Sequence, residues 1–256
     1  SVSVAVMNGL DSNADILVGA PFTAPQQLCA VHAFFGQNDI TAILTNWIRP
    51  GASQGGTLGF STAIDPVTAR AIAGQPGHSQ FALLELTRVR LLNGTTGGVF
   101  DEILSSGAED DFAWDIAVAG LVNADATPDI VVVAPSFVDV FQGITAALFV
   151  FDGATQDPIH TIYYQGPASQ VWSVAGLGDL NNDGHSEFAT GAAGALGGGR
   201  VWVYDGLTGE LFPGAPLNSG FPFVGWAFGY SIDSIGDIDG DGVRDLLVGA
   251  PSQDGL

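Results

Sequence analysis

The chain has no lysine, one cysteine and one methionine in 256 residues, and its six basic side chains, all arginine, face 27 acidic ones for a formal charge of −21. A field of that sign repels phosphate backbones and anionic lipid headgroups, which excludes nucleic acid and membrane surfaces as partners. It suits cation binding or solubility in a salty or extracellular medium. A single cysteine, Cys29, excludes an intrachain disulfide, and its apolar neighbours Leu28 and Ala30 make it a small buried strand residue. Long apolar runs are also missing. "DIVVVAP" and "TAALFVF" have strand length, far short of the ~20 residues of a membrane helix. No export signal is visible, and the chain starts at Ser1.

What is present is ample apolar sequence, 46% of residues, enough to offset the entropy lost on ordering the chain. It is organised as repeats. The stretch "FGYSIDSIGDIDGDGVRDLLVGAP" from Phe228 recurs as "QVWSVAGLGDLNNDGHSEFATGAAG" from Gln170, "FAWDIAVAGLVNADATPDIVVVAP" from Phe112, "LGFSTAIDPVTARAIAGQP" from Leu58 and "SVSVAVMNGLDSNADILVGAP" from Ser1. The aromatic anchors Phe60, Trp114, Trp172 and Tyr230 are spaced by 54, 58 and 58 residues. Each unit reads as an apolar run, a polar loop, a second apolar run, a third ending in a turn, and a weaker fourth. By length, β-branched and aromatic content and Gly/Asp/Asn punctuation these are strands, and no helical period is sustained.

Four short strands in each of several ~58-residue units predict an all-β fold, a β-propeller of four-stranded antiparallel blades. The units run 1–57, 58–111, 112–169, 170–227 and 228–256, about four and a half copies read as a single propeller over 1–256. Ser1 aligns with Ser231, just after the position of an F-G-aromatic triplet, and the last unit has only two strands. The sequence is therefore read as a fragment whose open edge is covered by further blades or by a partner.

The chemistry lies in the loop between the first two strands. Counting Asp237 as position 1 puts Asp239 at 3, Asp241 at 5, Gly242 at 6, Val243 at 7 and Asp245 at 9. Ca²⁺ takes six to eight oxygens at about 2.3–2.6 Å, which these carboxylates and the carbonyl of Val243 supply, with glycine at 6 permitting the bend. The loop at 179 repeats the pattern with Asp179, Asn181, Asp183, Gly184, the carbonyl of His185, and Glu187. Two Ca²⁺ sites are expected. An EF-hand is excluded by the flanking strands and by Val248 at position 12, where a bidentate Glu is required. An acid/base pair is disfavoured because an active site is built once, whereas this loop recurs.

The other copies decay. Leu121, Asn123, Asp125, Thr127 and Asp129 lack the first ligand, and the opening copy keeps Asp11 and Asp15 behind Met7 and Gly9. The second copy is five residues shorter, turns on "DPV" and carries Arg70 where the last carboxylate would stand. The glycine-rich "GAAGALGGGR" at 191 opens no helix and is a loop. His32, His78, His160 and His185 form no ligand pair, and no nucleophile constellation is discernible, so an enzyme is the less favoured reading. "NGT" at 93 is explained by a turn as well as by glycosylation. Trp47, Trp114, Trp172, Trp202 and Tyr163/Tyr164 fit packing between blades better than a ligand-binding aromatic set.

With "FGYS" at 228, "DIDGDGVRD" at 237 and "VGAP" at 248, and weaker copies "FAW" at 112, "VVAP" at 132 and "VGAP" at 18, the chain resembles the FG-GAP repeat proteins, typified by the integrin α-subunit propeller. The resemblance implies a propeller, usually of seven blades, with Ca²⁺ in the loops between first and second strands. It also implies an extracellular, secreted or cell-surface module that binds a protein or glycan ligand in an adhesion-like role. FG-GAP propellers also resemble domains of secreted hydrolases and lyases, and a structural spacer in a large surface protein is a third role. Fold alone does not choose among them.

Overall fold

In the computed structural model every regular element of the described residues is a β-strand. Those residues are 1–5, 14–21, 28–36, 45–54, 57–77, 87–105, 111–123, 125–166, 171–195, 198–219 and 227–251. The chain divides into two compact units, Ser1–Ile116 and Ala117–Leu256.

The first unit holds two four-stranded antiparallel meanders. One is β1 (Val2–Ala5), β2 (Asp15–Ala20), β3 (Leu28–Phe34) and β4 (Thr45–Gln54); the other is β5 (Thr62–Asp65), β6 (Arg70–Gln75), β7 (Arg88–Asn93) and β8 (Val99–Leu104). A third meander follows: β9 (Asp115–Gly120), β10 (Asp129–Ala134), β11 (Ile144–Phe151) and β12 (Pro158–Gln165). All but the first two residues of β9 lie in the second unit. Then come a three-stranded sheet, β13 (Ser173–Gly178), β14 (Glu187–Ala192) and β15 (Arg200–Tyr204), and a hairpin, β16 (Ser231–Ser234) with β17 (Leu246–Gly249).

Burial explains the composition of each strand. The second strands β6, β10 and β14 are buried at every position and read RAIAGQ, DIVVVA and EFATGA, mostly small or β-branched residues between polar or charged ends. The outer strands β8 and β12 are half-buried or exposed at all but one position each. Cys29 is buried in β3, as its apolar neighbours require.

Among its described residues the unit at 170–227 has three strands, short of the four expected. In place of a fourth strand, residues 211–217 touch β15 through two isolated bridges, Tyr204 with Leu211 and Val201 with Leu217. Pro213 and Pro216 interrupt this edge, and neither has an N–H to donate to a ladder.

Successive sheets meet backbone to backbone. A Cβ added at Gly19 in β2 would lie 1.8 Å from the carbonyl oxygen of Gly59, and one at Gly191 in β14 would lie 2.0 Å from that of Gly229. Gly74 in β6 lies against Ala113 in the same way, its added Cβ 2.6 Å from the Ala113 oxygen. At these three joints a glycine of the second strand therefore packs on the middle residue of the next F-G-type triplet. That residue has positive φ in every case, +84° at Gly59 and Gly229 and +67° at Ala113, a conformation glycine adopts without strain. One ring further on, Phe60 and Trp114 pack with centroids 4.6 Å apart and planes tilted by 50°, a contact between two of the recurring aromatics.

Candidate metal centre

The β13–β14 and β16–β17 connections share one geometry. In the first, Asp179 accepts from the N–H groups of Asp183 at 3.1 Å and Gly184 at 2.9 Å. In the second, Asp237 accepts from Asp241 at 3.1 Å and Gly242 at 2.9 Å. Asn181 and Asp239 each accept from the residue two ahead, at 2.9 and 3.1 Å. Asp183 takes the His185 N–H and Asp241 the Val243 N–H, both at 2.8 Å. The carboxylate at position 9 returns to the loop's start: Glu187 accepts from Leu180 N–H at 2.5 Å and Asp245 from Ile238 N–H at 2.7 Å.

Both loops reach this shape through left-handed residues at positions 4 and 6. These are Asn182 and Gly184 at φ +60° and +90°, and Gly240 and Gly242 at +82° and +91°. Asparagine and glycine are the residues that tolerate that region best. The glycine expected to permit the bend does so.

The loops draw carboxylates together. Asp237, Asp239 and Asp245 place one oxygen each within 4.8 Å of one another, as do Asp183, Glu187 and Asp205. Oxygens about 2.3–2.6 Å from a common Ca²⁺ have separations up to this range. Asp241 stays outside its trio and Asp179 outside the other, while the Asn181 amide lies against the Asp183 carboxylate at 3.0 Å. Val243 and His185, expected to offer carbonyls, hold the loop through their N–H groups, and the His185 ring turns away, its Nδ1 2.7 Å from the Val122 carbonyl.

The donor set fits a hard divalent cation. Glu187 is fully buried, and its Oε1 has no hydrogen-bond partner among the described residues. Burial pushes its carboxyl above the usual range; the N–H groups of Leu180 and Gly206 pull it down, and the charges of Asp183 and Asp179 push it up again. A cation on the trio would remove both the orphaned oxygen and the like-charge conflict.

The decayed copies carry substitutes. At 121–129, the side-chain amide of Asn123 donates to Asp125 at 3.3 Å and to Asp152 at 2.9 Å. An NH₂ group thus stands between two carboxylates. Asp129 holds the loop through Val122 and Asn123 N–H and takes Gly153 N–H at 3.0 Å. Burial raises its pKa to about 6 against the pull of these donors. At 65–70 an ion pair between Asp65 and Arg70 closes the shortened turn. In the opening copy Met7, Gly9 and Asp11 lie outside the described residues, while Asp15 is buried and accepts from Gly36 N–H at 2.9 Å.

Asp205, the third member of the trio with Asp183 and Glu187, is not among the site residues expected from sequence. A signal for it existed: an Asp-Gly or Asn-Gly pair follows the third strand at Asp205, Asp152 and Asn93.

The FG-GAP repeat family model matches residues 171–204 and 228–255, the two units that carry these loops. The chain carries FG-GAP repeats. Among curated relatives it is 29% identical to integrin alpha-3 of Cricetulus griseus over 211 residues and 30% identical to human integrin alpha-7 over 205, with 75% of the chain covered each time. Integrin alpha-8 of Mus musculus is 27% identical over 271 residues, covering 93% of the chain. The chain spans only 19%, 17% and 25% of these relatives' lengths. Among solved structures it is similar to the Dos1 propeller, with a TM-score of 0.54 at 14% identity over 91% of this chain and 48% of that one. The fold of this FG-GAP chain is that of a β-propeller.

Proposed function

We propose that this chain is a calcium-stabilised propeller segment acting outside the cell, as an interaction module for a protein or glycan ligand, and that residues 1–256 belong to one propeller. The observation that carries the calcium part is the repetition of one oxygen-rich loop, with the same N–H bonds to positions 1, 3, 5 and 9, at 179–187 and 237–245. In this reading Asp237, Asp239 and Asp245 hold one ion with Asp241 and the Val243 carbonyl, and the 179 loop holds another. Each ion neutralises clustered charge and couples metal binding to folding. Similarity to integrin α subunits supports the extracellular, adhesion-like assignment.

The β10–β11 loop supports the interaction role, since antiparallel topology puts it at the opposite strand ends from the metal loops. Asp139 braces it by accepting from Phe141 and Gln142 N–H at 2.9 and 3.2 Å. Phe137 anchors it against Phe149 and Tyr163. Val138, Val140 and Phe141 are left 63, 77 and 98% exposed, an ordered apolar tip of the kind that contacts partners.

The test is to melt the purified chain in millimolar Ca²⁺ and in excess chelator, then to probe it in Ca²⁺ on an array of extracellular proteins and glycans. The reading expects a higher Tm with Ca²⁺, and array binding that Phe141→Ser and Val140→Ser reduce. Superimposable melting curves would remove the calcium part, and an array with no specific binder would remove the interaction part.

A further inference from the structure

The 237 loop assembles its carboxylate trio from its own nine residues, but the 179 loop does not. Its trio is completed by Asp205, in the turn that follows β15. The β14–β15 register explains this: Phe188 pairs with Tyr204, so the next position outward sets Glu187 beside Asp205. Asp205 is half-buried, and its Oδ1 is fixed at 2.8 Å by both the N–H and the hydroxyl of Thr208. The turn is closed by Gly209 N–H on the Asp205 carbonyl at 2.8 Å. An independent observation points to a ligand here: Glu187, a fully buried member of the trio, has an Oε1 with no hydrogen-bond partner among the described residues. The neighbouring sheet shows what the place accepts. There Ile130 pairs with Phe151, so Asp152 corresponds to Asp205, and the Asn123 amide bridges Asp125 and Asp152. A positive group is wanted between the position-5 carboxylate and the turn carboxylate. In the 179 loop the Asn181 amide reaches only Asp183, at 3.0 Å.

We propose that Asp205 is a direct ligand of a divalent cation held with Asp183 and Glu187, so that this ion joins the β13–β14 loop to the turn after β15. The ion is of the Ca²⁺ class, because all three donors are carboxylate oxygens. The ion at the 237 loop is held within one hairpin, whereas this one fastens two successive connections of a sheet whose fourth strand is only two bridges. The inference rests on the calcium reading of the 179 loop.

The test uses Ca²⁺ itself as the probe. In an Asp237→Asn background, which disables the other loop, calorimetric titration of the chain is expected to show one site. Adding Asp205→Asn, which keeps the bond to Thr208, is expected to weaken that site at least ten-fold, and Asp205→Glu to restore part of it. In the wild-type chain, the backbone amides of Thr208 and Gly209 are expected to shift in NMR spectra at the same Ca²⁺ concentration as those of 179–187, a readout that needs no variant to fold. Unchanged affinity in the Asp205→Asn variant, or loop amides that move while Thr208 and Gly209 stay still, would overturn Asp205 as a ligand and leave the loop's own calcium site standing. No Ca²⁺ binding by the Asp237→Asn chain, with no amide shift in 179–187, would overturn the calcium reading itself and this inference with it.

Discussion

Arg70 donates through Nε and Nη2 to the same oxygen of Asp65, at 3.1 and 2.9 Å, with the carboxylate fully buried and the guanidinium nearly so. Asp65 also accepts from Val67 and Thr68 N–H at 2.9 and 3.3 Å and from the Thr68 hydroxyl. A carboxylate at the start of a repeat loop is thus neutralised by an arginine of the same turn. Breaking a buried pair from one side strands the other charge. Arg70→Met is expected to lower stability by about 3–5 kcal/mol in denaturant melts, and Asp65→Asn added to it to recover part of the loss. The loss is expected to be the same with Ca²⁺ or chelator, because no cation serves this turn.

The Asp237 loop responds in the opposite way. Asp237→Asn and Asp241→Asn are expected to lower the Tm measured in Ca²⁺ and to change it little in chelator. If Ca²⁺ is present at 100 times its Kd, losing one site removes about 2.7 kcal/mol of ligand-linked stability. A variant equally destabilised in both media would mean that the loop's hydrogen bonds, rather than an ion, are what the aspartates support.

Asp129 gives a pH signature. Its folded pKa of about 6 lies above the ordinary 3.8, so between those values the native state binds more protons than the unfolded one. Its contribution therefore falls as pH rises through that window and has been lost above the folded pKa. Asp129→Asn cannot titrate, so its stability relative to wild type is expected to improve by up to about 3 kcal/mol from pH 4 to pH 7. Urea melts of the two proteins at each pH give this difference directly, and a constant difference would contradict it.

The glycine contacts make a steric prediction. Gly191→Ala drives a methyl to 2.0 Å from the Gly229 carbonyl oxygen, backbone that must shift, at about 2–3 kcal/mol. Gly98 is exposed, and its nearest neighbour to an added Cβ is Thr96 Oγ1 at 3.4 Å. Gly98→Ala is expected to be neutral or slightly stabilising, because it mainly restricts the unfolded chain. The pair of variants, compared by Tm, separates close packing from glycine content.

Much of this was legible in the sequence because strand alternation, turn residues and loop ligands are local. Asp237, Asp239 and Asp245 lie within nine residues, and spacing alone brings them together. Asp205 stands 18 residues beyond Glu187, and only the pairing of Phe188 with Tyr204 makes them neighbours. Spacing reveals Arg70 in a carboxylate's place, but not that Asp65 faces it, which depends on the tightness of the "DPV" turn. The interrupted edge at 211–217 reads as polar and apolar residues of strand composition until the two prolines are counted against the ladder they would have to join.

The glycine joints carry a consequence for how such an array tolerates change. Loops at the strand ends carry an amide at Asn123 or an arginine at Arg70 against their carboxylates with the sheets behind them intact, since each such arrangement is settled within one sheet. A joint has no such independence: its two halves belong to different copies. A copy moved, duplicated or swapped within this chain would have to meet its new neighbour across a gap that does not admit one methyl group, so at Gly19 with Gly59 and Gly191 with Gly229 the unit of exchange is the pair of adjoining copies.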